Sequence, residues 1–334
     1  MKKGLIATFI TLIIIGVIAF GVIYKNNIKH PFNITDQFMI KIDEGESLYK
    51  VLDKLKEENK LKHIGLTKIY MKLDGNTPNV KPGMYTVDKD MSLKDFFAVL
   101  ENPNLDKGNI TVTIPEGYNI NQIADLLEQK GVISKDEFIK GVKDYKLPSY
   151  IKPNDKLKYN LEGFLFPDTY IFKKGNSAND IIKVMNDRFN EVITKLTKDK
   201  TLSDEQLFNI ITMASIIENE ASDPNERDIV ASVFYNRLDK DMMLQSCATV
   251  LYSLGKHKDK LYEKDLEIES PYNTYKIKGL PVGPICCPGE EAIKAAINPK
   301  KTNYLFFVSN NDGTHFFTDN YEEFLKVKEK TQGF

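Results

Sequence analysis

The stretch SDEQLFNIITMASIIENEA, Ser203 to Ala221, reads as one amphipathic helix that carries a carboxylate where an apolar side chain is expected. At about 100° per residue, with Leu207 set to zero, Ala214 falls at about −20°, Glu218 at about 20°, Ile211 at about 40° and Ile210 at about −60°. Glu218 therefore sits in the middle of the apolar stripe. Glu220 falls at about −140° by the same arithmetic, on the side expected to face solvent. Ser203 and Gln206 form a reciprocal capping pair that starts the helix. Burial disfavours the charged form of a carboxyl, so Glu218 should hold its proton to higher pH than a surface glutamate, as a general acid must. The structural alternative is an ion pair with Arg227 or Arg237 of the next helix.

Outward from that helix, composition bounds the rest. A chain of 334 residues suggests two or three domains. The net charge of −1, with basic and acidic residues interspersed, points away from a nucleic-acid partner. Tryptophan is absent, so any stacking on a sugar must use the 16 Tyr or 19 Phe rings. Near the N-terminus, Leu5 to Tyr24 (LIATFITLIIIGVIAFGVIY) holds no charged residue and has the length of a bilayer span. The following FGVIYKNN offers no small-x-small cleavage site, which favours an uncleaved anchor over a signal peptide. Almost the whole chain follows the segment, so the expectation is a single-pass cell-membrane protein with its bulk on the outer face. The three cysteines, Cys247, Cys286 and Cys287, lack the spacing of a paired metal site, and no metal or cofactor is expected. Outside the membrane a Cys247–Cys286 disulfide is open to the chain, leaving Cys287 free; three reduced thiols are the other reading.

An internal repeat recurs at a spacing of 72 residues. IKIDEGESLYKVLDKLKEENKLK, Ile40 to Lys62, aligns without gaps on VTIPEGYNINQIADLLEQKGVIS, Val112 to Ser134, with Glu44 and Gly45 falling on Glu116 and Gly117. Each copy reads as a short strand, a Glu-Gly turn and an amphipathic helix. After the first copy come a second helix at Ile64 to Leu73 and a strand at Gly83 to Val87. That strand-helix-helix-strand order resembles the LysM fold, which implies contact with peptidoglycan glycan; a structural spacer is the alternative. The expected organisation is a cytoplasmic tip and anchor at 1–30, a LysM-like module at 38–103, a second repeat unit at 108–150 and a catalytic domain at 158–332. A polar stretch at 102–109 and a Pro/Lys/Asn-rich stretch at 148–158 separate them. LEGFLFPDTYIF (161–172) reads as a strand-like run broken by Pro167, helices are expected at 178–196, 204–221 and 225–239, and YLFFVS should pair with HFFTD across the NNDG turn. The fold class is α+β.

The strings EGFLFPDTY, ASIIENEA, ERDIVASVFYNRL, LQSCATVLY, YNTYKIKGLPVGPICCPG and KTNYLFFVSNNDGTHFF follow one another in the order of the YceG-like family. The chain resembles that family, the membrane-anchored endolytic murein transglycosylases, over nearly its whole length. The resemblance implies that Glu218 is the catalytic residue and that the bond cut is MurNAc-β-1,4-GlcNAc, leaving 1,6-anhydroMurNAc ends on nascent strands. Such a reaction needs only one carboxylate, because the C6 hydroxyl of the same sugar replaces water as nucleophile. The family usually carries an aspartate where Cys247 stands and a proline where Val282 stands, so an essential carboxylate in the 244–250 loop is not expected. Substrate-binding candidates are Glu162, Gln245, Ser246, Thr249, Asn273, Thr274, Tyr275 and His315; each also reads as an ordinary loop or turn residue. Glu226 and Arg227 read as a helix cap. Expected partners are peptidoglycan strands and the membrane, with penicillin-binding synthases and the elongation or division machinery implied by the resemblance alone. The competing functions are a non-catalytic wall tether and a lysozyme-like muramidase.

Overall fold

The helices of both repeat copies bury equivalent side chains. The computed structural model describes residues 2–35, 37–74, 78–101, 109–198, 200–221, 223–256, 258 and 261–333. In it, each Glu-Gly turn sets its glycine in the left-handed region, Gly45 at φ +76° and Gly117 at φ +79°, where a residue without Cβ is favoured. The helix that follows buries Leu48, Val51, Leu52 and Leu55 in the first copy. In the second it buries Ile120, Ile123, Ala124 and Leu127, the same i, i+3, i+4, i+7 face.

The chain divides into two compact units, Met1–Val112 with Thr169–Lys174, and Thr113–Asp168 with Gly175–Phe334. The first unit holds α1 (Lys2–Lys29), β1 (Phe38–Ile42), α2 (Leu48–Glu57), α3 (Ile64–Asp74), β2 (Gly83–Val87), α4 (Leu93–Glu101), most of β3 (Asn109–Thr113) and β4 (Thr169–Lys173). Strand β1 pairs antiparallel with β2, Phe38 opposite Val87 and Ile42 opposite Gly83, and β3 pairs with β4. Period-two alternation sends Ile40, Ile42, Tyr85 and Val87 into one core with the buried faces of α2 and α4.

The second unit holds α5 (Ile120–Gln129), α6 (Lys135–Asp144), α7 (Ala178–Leu196), α8 (Asp204–Glu220), α9 (Arg227–Asp239), α10 (Cys247–Leu254), α11 (Glu263–Leu266), α12 (Glu290–Ile297), β5 (Phe306–Ser309), β6 (His315–Thr318) and α13 (Tyr321–Gln332). Reciprocal capping boxes start α5, α7 and α8, through Asn119/Gln122, Ser177/Asp180 and Ser203/Gln206. The β5–β6 hairpin is antiparallel, with Ser309 opposite His315. Helix α8 is the centre of this unit: α9, α10 and α12 all pack on it, and Ile211 through Ile217 are buried without interruption.

Several expectations change. Helix α8 is not amphipathic from Ile211 to Ile217, where neighbours bury every residue; in its second half exposure is confined to the last turn, at Asn219. The strand expected across 161–172 begins only at Thr169. Leu161 to Phe166 instead form buried turns around Gly163 at φ +85°. The second repeat is shared between the units, its strand β3 mostly in the first and its helices α5 and α6 in the second. The 148–158 stretch lies inside the second unit, and 102–108 of the polar stretch lie outside the described residues. The expected membrane span begins on side chains outside the described residues. Among the described residues no helix is long and apolar enough to cross a membrane.

Gly163 tests the packing of the central helix. A Cβ there would lie 2.6 Å from Pro284 Cβ and 3.0 Å from Ile211 Cγ2, whereas one on Gly175, also left-handed at φ +90°, meets nothing within 4 Å. Gly175→Ala should cost only backbone strain, about 1–2 kcal/mol. Gly163→Ala should add the overpacking penalty of about 1–3 kcal/mol. Urea unfolding of both variants, followed by circular dichroism, checks the difference.

Candidate active site

Four chain segments meet at the carboxyl end of α8. Glu218, in the last turn, has a side chain only 6% exposed. Its Oε1 accepts from Arg227 Nη2 at 2.7 Å and its Oε2 from the backbone N–H of Gly289 at 2.9 Å. Arg227 is the first residue of α9, and Gly289 is the N-cap of α12, so a helix N-terminus with its partial positive charge faces the carboxylate. The fourth segment is the Glu-Gly turn of the second repeat. Gly117 donates to Cys287 O at 3.0 Å and Cys287 donates back to Tyr118 O at 2.8 Å. These bonds fix the turn beside Glu218: a Cβ on Gly117 would stand 3.7 Å from Glu218 Cγ. Glu116 Oε2 lies 3.6 Å from Arg227 Nη2.

Opposing effects act on Glu218. Burial raises its pKa above the ordinary glutamate value and is the largest influence; the Gly289 N–H and Arg227 pull it back, and Glu116 pushes it up again. The net direction is upward. The ion pair with Arg227 and the raised pKa thus coexist, although the sequence reading set them as alternatives.

A cleft of about 640 Å³ lies alongside, between the start of α5 and the start of α10, with Gly117, Asn119, Asn219, Glu220, Cys247 and Tyr252 among its walls. Glu220 corrects the helical-wheel expectation: it is not on a solvent face. Its Oε1 accepts from Ser246 Oγ at 2.5 Å and from the Ala248 N–H at 3.4 Å, and burial raises its pKa. Segment 246–248 covers the side of α8 that the wheel left open.

The candidate binding residues gather around Glu220 more than around Glu218. Ser246 N–H donates to Thr274 Oγ1 at 3.0 Å, and Thr249 Oγ1 lies 2.8 Å from Thr274 Oγ1. Gln245 is exposed and left-handed at φ +51°, its N–H donating to Thr274 O, a conformation that costs a side-chain-bearing residue energy and that clusters at functional sites. Asn273 is fully buried, with its amide bracing Leu266 O and Ile268 O at 2.8 Å. Tyr275 OH is 3.3 Å from Cys247 Sγ. His315 Nδ1 sits 2.7 Å from Glu226 Oε2. The cap expected from Glu226 is absent, since it makes no side-chain capping bond on α9; its carboxylate holds the β6 strand through His315 instead. The open disulfide reading gives way to the other: all three cysteines are free. Cys286 is buried against α8, donating to Ser215 O at 3.3 Å and accepting from Asn219 Nδ2 at 2.9 Å, while Cys247 starts α10 on the exposed side.

As site residues, neither Glu116 nor Gly289 was legible in the sequence. The repeat alignment had already singled out Glu116, but only as half of a turn signature.

Glu162 is enclosed rather than open to the cleft. It is 0% exposed, with Tyr252 OH donating to Oε2 at 2.8 Å and the Ile120 N–H donating to Oε1 at 3.0 Å. Burial pushes its pKa up to about 7. The folded protein therefore keeps a proton that the unfolded chain releases at ordinary carboxylate pH, so stability is lost as pH rises towards 7. The loss is on the order of 3 kcal/mol. Glu162→Gln should remove this slope, and urea midpoints of wild type and variant at pH 5 and pH 8 check it.

The profile of the YceG-like family matches residues 40–330. An endolytic murein transglycosylase of Bacillus subtilis (strain 168) is 36% identical over 303 residues, covering 87% of this chain and 84% of the relative. One from Streptococcus pneumoniae (strain ATCC BAA-255 / R6) is 32% identical over 314 residues, covering 85% of this chain and 56% of the relative. Among solved structures, a YceG-like protein from Listeria monocytogenes matches with a TM-score of 0.60 and 35% identity, covering 89% of this chain and all of the other.

Proposed function

The chain belongs to the YceG-like family, and we propose that it cuts peptidoglycan strands internally as an endolytic murein transglycosylase, with Glu218 serving in turn as acid and base. The observation that carries the assignment to Glu218 is its environment: burial favours the protonated form, while Arg227 and the Gly289 N–H favour the carboxylate. In the first step the Glu218 carboxyl gives its proton to the glycosidic oxygen as the C1–O bond breaks. In the second its carboxylate takes the proton of the C6 hydroxyl as that oxygen bonds to C1, closing the 1,6-anhydro ring. A group that must be acid and base within one turnover works best when neither form is strongly favoured. The adjoining cleft, with polar walls from α5 and α10, has the size to hold sugar rings. Gln245 and Tyr275 are proposed as its binding edge, with the buried Ser246, Thr249, Thr274, Asn273 and Glu162 supporting it from within and His315 holding the β5–β6 hairpin.

Glu218→Gln should lower the release of 1,6-anhydromuropeptides from purified sacculi by about 10²–10⁴-fold, the usual range for a lost acid–base group. Mass spectrometry of the products reads this. Reducing ends from the wild type would make it a muramidase, and undiminished anhydro products from the variant would remove Glu218 from the chemistry.

The reading extends to the membrane. Ile13, Ile14, Ile15, Val17, Ile18, Phe20, Val22 and Ile23 on α1 are each at least half exposed, a continuous apolar surface of the kind that water does not tolerate on a free helix. We read this helix as a single-pass anchor that holds the enzyme on the outer face of the cell membrane. The strand-helix-helix-strand module of β1, α2, α3 and β2 is read as LysM-like, a glycan contact near the anchor. Synthases of the penicillin-binding type and the elongation or division machinery are the expected neighbours. A chain lacking residues 1–24 should move from the membrane to the soluble fraction on cell fractionation while still cleaving isolated sacculi.

A further inference from the structure

The repeat provides an internal control for one unassigned acidic residue. Glu44 and Glu116 occupy the same place in the same Glu-Gly turn. In the first copy Glu44 is exposed, and a Cβ on Gly45 would meet nothing within 4 Å. In the second the turn is tied to Cys287, Gly117 approaches Glu218, and Glu116 reaches Arg227. The Glu116 carboxyl also fills the space above Gly289, where any Cβ would overlap it. Gly289 has an ordinary φ of −76°, so the backbone does not require glycine there; the room for Glu116 does.

Arg227 is placed to serve both carboxylates. Its side chain is 10% exposed, with Nη2 2.7 Å from Glu218 and 3.6 Å from Glu116. Its Nε is buried and makes no hydrogen bond among the described residues, so Glu218 alone does not saturate the guanidinium. We propose that Glu116 is a positioning residue of the active site, sharing Arg227 with Glu218 and thereby setting how firmly the arginine holds the catalytic carboxylate. This deepens the transglycosylase reading and rests on it for its catalytic meaning.

The other charged or titratable groups around Glu218 are accounted for. Arg227 comes from α9, Glu116 from the turn, and the buried Cys286 thiol from the segment before α12. On α12, Glu290 pairs with Lys195 and Lys294. On α10, Cys247 faces Tyr275, and on α8 itself Glu220 bonds Ser246. Among the described residues, Glu116 is thus the second anion within reach of Arg227. As a like charge it raises the pKa of Glu218, so its removal acts downward.

The test uses the full chain in detergent micelles, with activity–pH profiles on purified sacculi and a carbon-13 NMR titration of the glutamate carboxyls, Glu218→Gln identifying the Glu218 signal. Glu116→Gln should move both the Glu218 midpoint and the alkaline limb of activity to lower pH. Gly289→Ala, which displaces the Glu116 carboxyl without removing it from the chain, should shift both in the same direction. A Glu116→Gln protein whose midpoint and profile coincide with wild type, or move to higher pH, overturns the proposal. Failure of the transglycosylase reading is separate: the wild type would then yield no anhydro ends, and the NMR midpoint would still decide whether Glu116 acts on Glu218.

Discussion

The structure depends on a helix whose central turns have no outside. From Ile211 to Ile217 every residue of α8 is buried, including Thr212 and Ser215, whose hydroxyls must find partners in the interior. Thr212 donates to Phe208 O at 2.8 Å within the helix. Ser215 donates to Thr212 O and accepts the Ile285 N–H at 3.0 Å, and Cys286 donates to Ser215 O. These bonds lock segment 285–287 onto the helix. Cys287 in turn holds the 117–118 turn through two backbone bonds, and Gly289 donates to Glu218. The polar satisfaction of one buried helix therefore places three of the four segments of the candidate active site. Arg227 completes it from α9, which packs on the same helix.

What was legible in the sequence follows from which interactions are local. Capping boxes involve residues three apart, and Ser203/Gln206 is found as read. The hairpin of β5 and β6 follows from alternation around a Gly-containing turn. The repeat carried its buried face position by position from α2 to α5. Interactions across the fold were not legible. A helical wheel assumes one wet face, and so it placed Glu220 in solvent when the 246–248 segment covers it. The 161–166 run looked like a strand because its apolar density is that of a core, but the left-handed Gly163 and the Pro167 ring turn it away from extended geometry. Glu162 looked like a polar residue available to substrate, although Tyr252, ninety positions away, closes it off.

The two Glu-Gly turns show how one local structure acquires a role from its surroundings. The left-handed glycine allows a sharp reversal in both copies, and nothing in the turn itself distinguishes them. In the second copy the same lack of a side chain lets the backbone come close to Glu218, and the glutamate before it falls within reach of Arg227. The pattern that defines the repeat is a folding signal, while the position of each copy decides whether its acidic residue faces water or a guanidinium.

A single carboxylate proposed to donate and then recover a proton is poorly served by extremes. Burial alone would hold the proton too tightly for Glu218 to act as an acid near neutral pH, and Arg227 with the Gly289 N–H alone would hold the carboxylate too firmly for it to be reprotonated. The site sets these against each other across a few ångströms, and each is anchored to a different element: burial to the core around α8, the cation to α9, the N–H donor to the start of α12. Because the elements pack on one helix, the balance is a property of the fold and not of any flexible loop. An arginine within reach of a half-exposed glutamate adds the one component of that balance that faces the solvent.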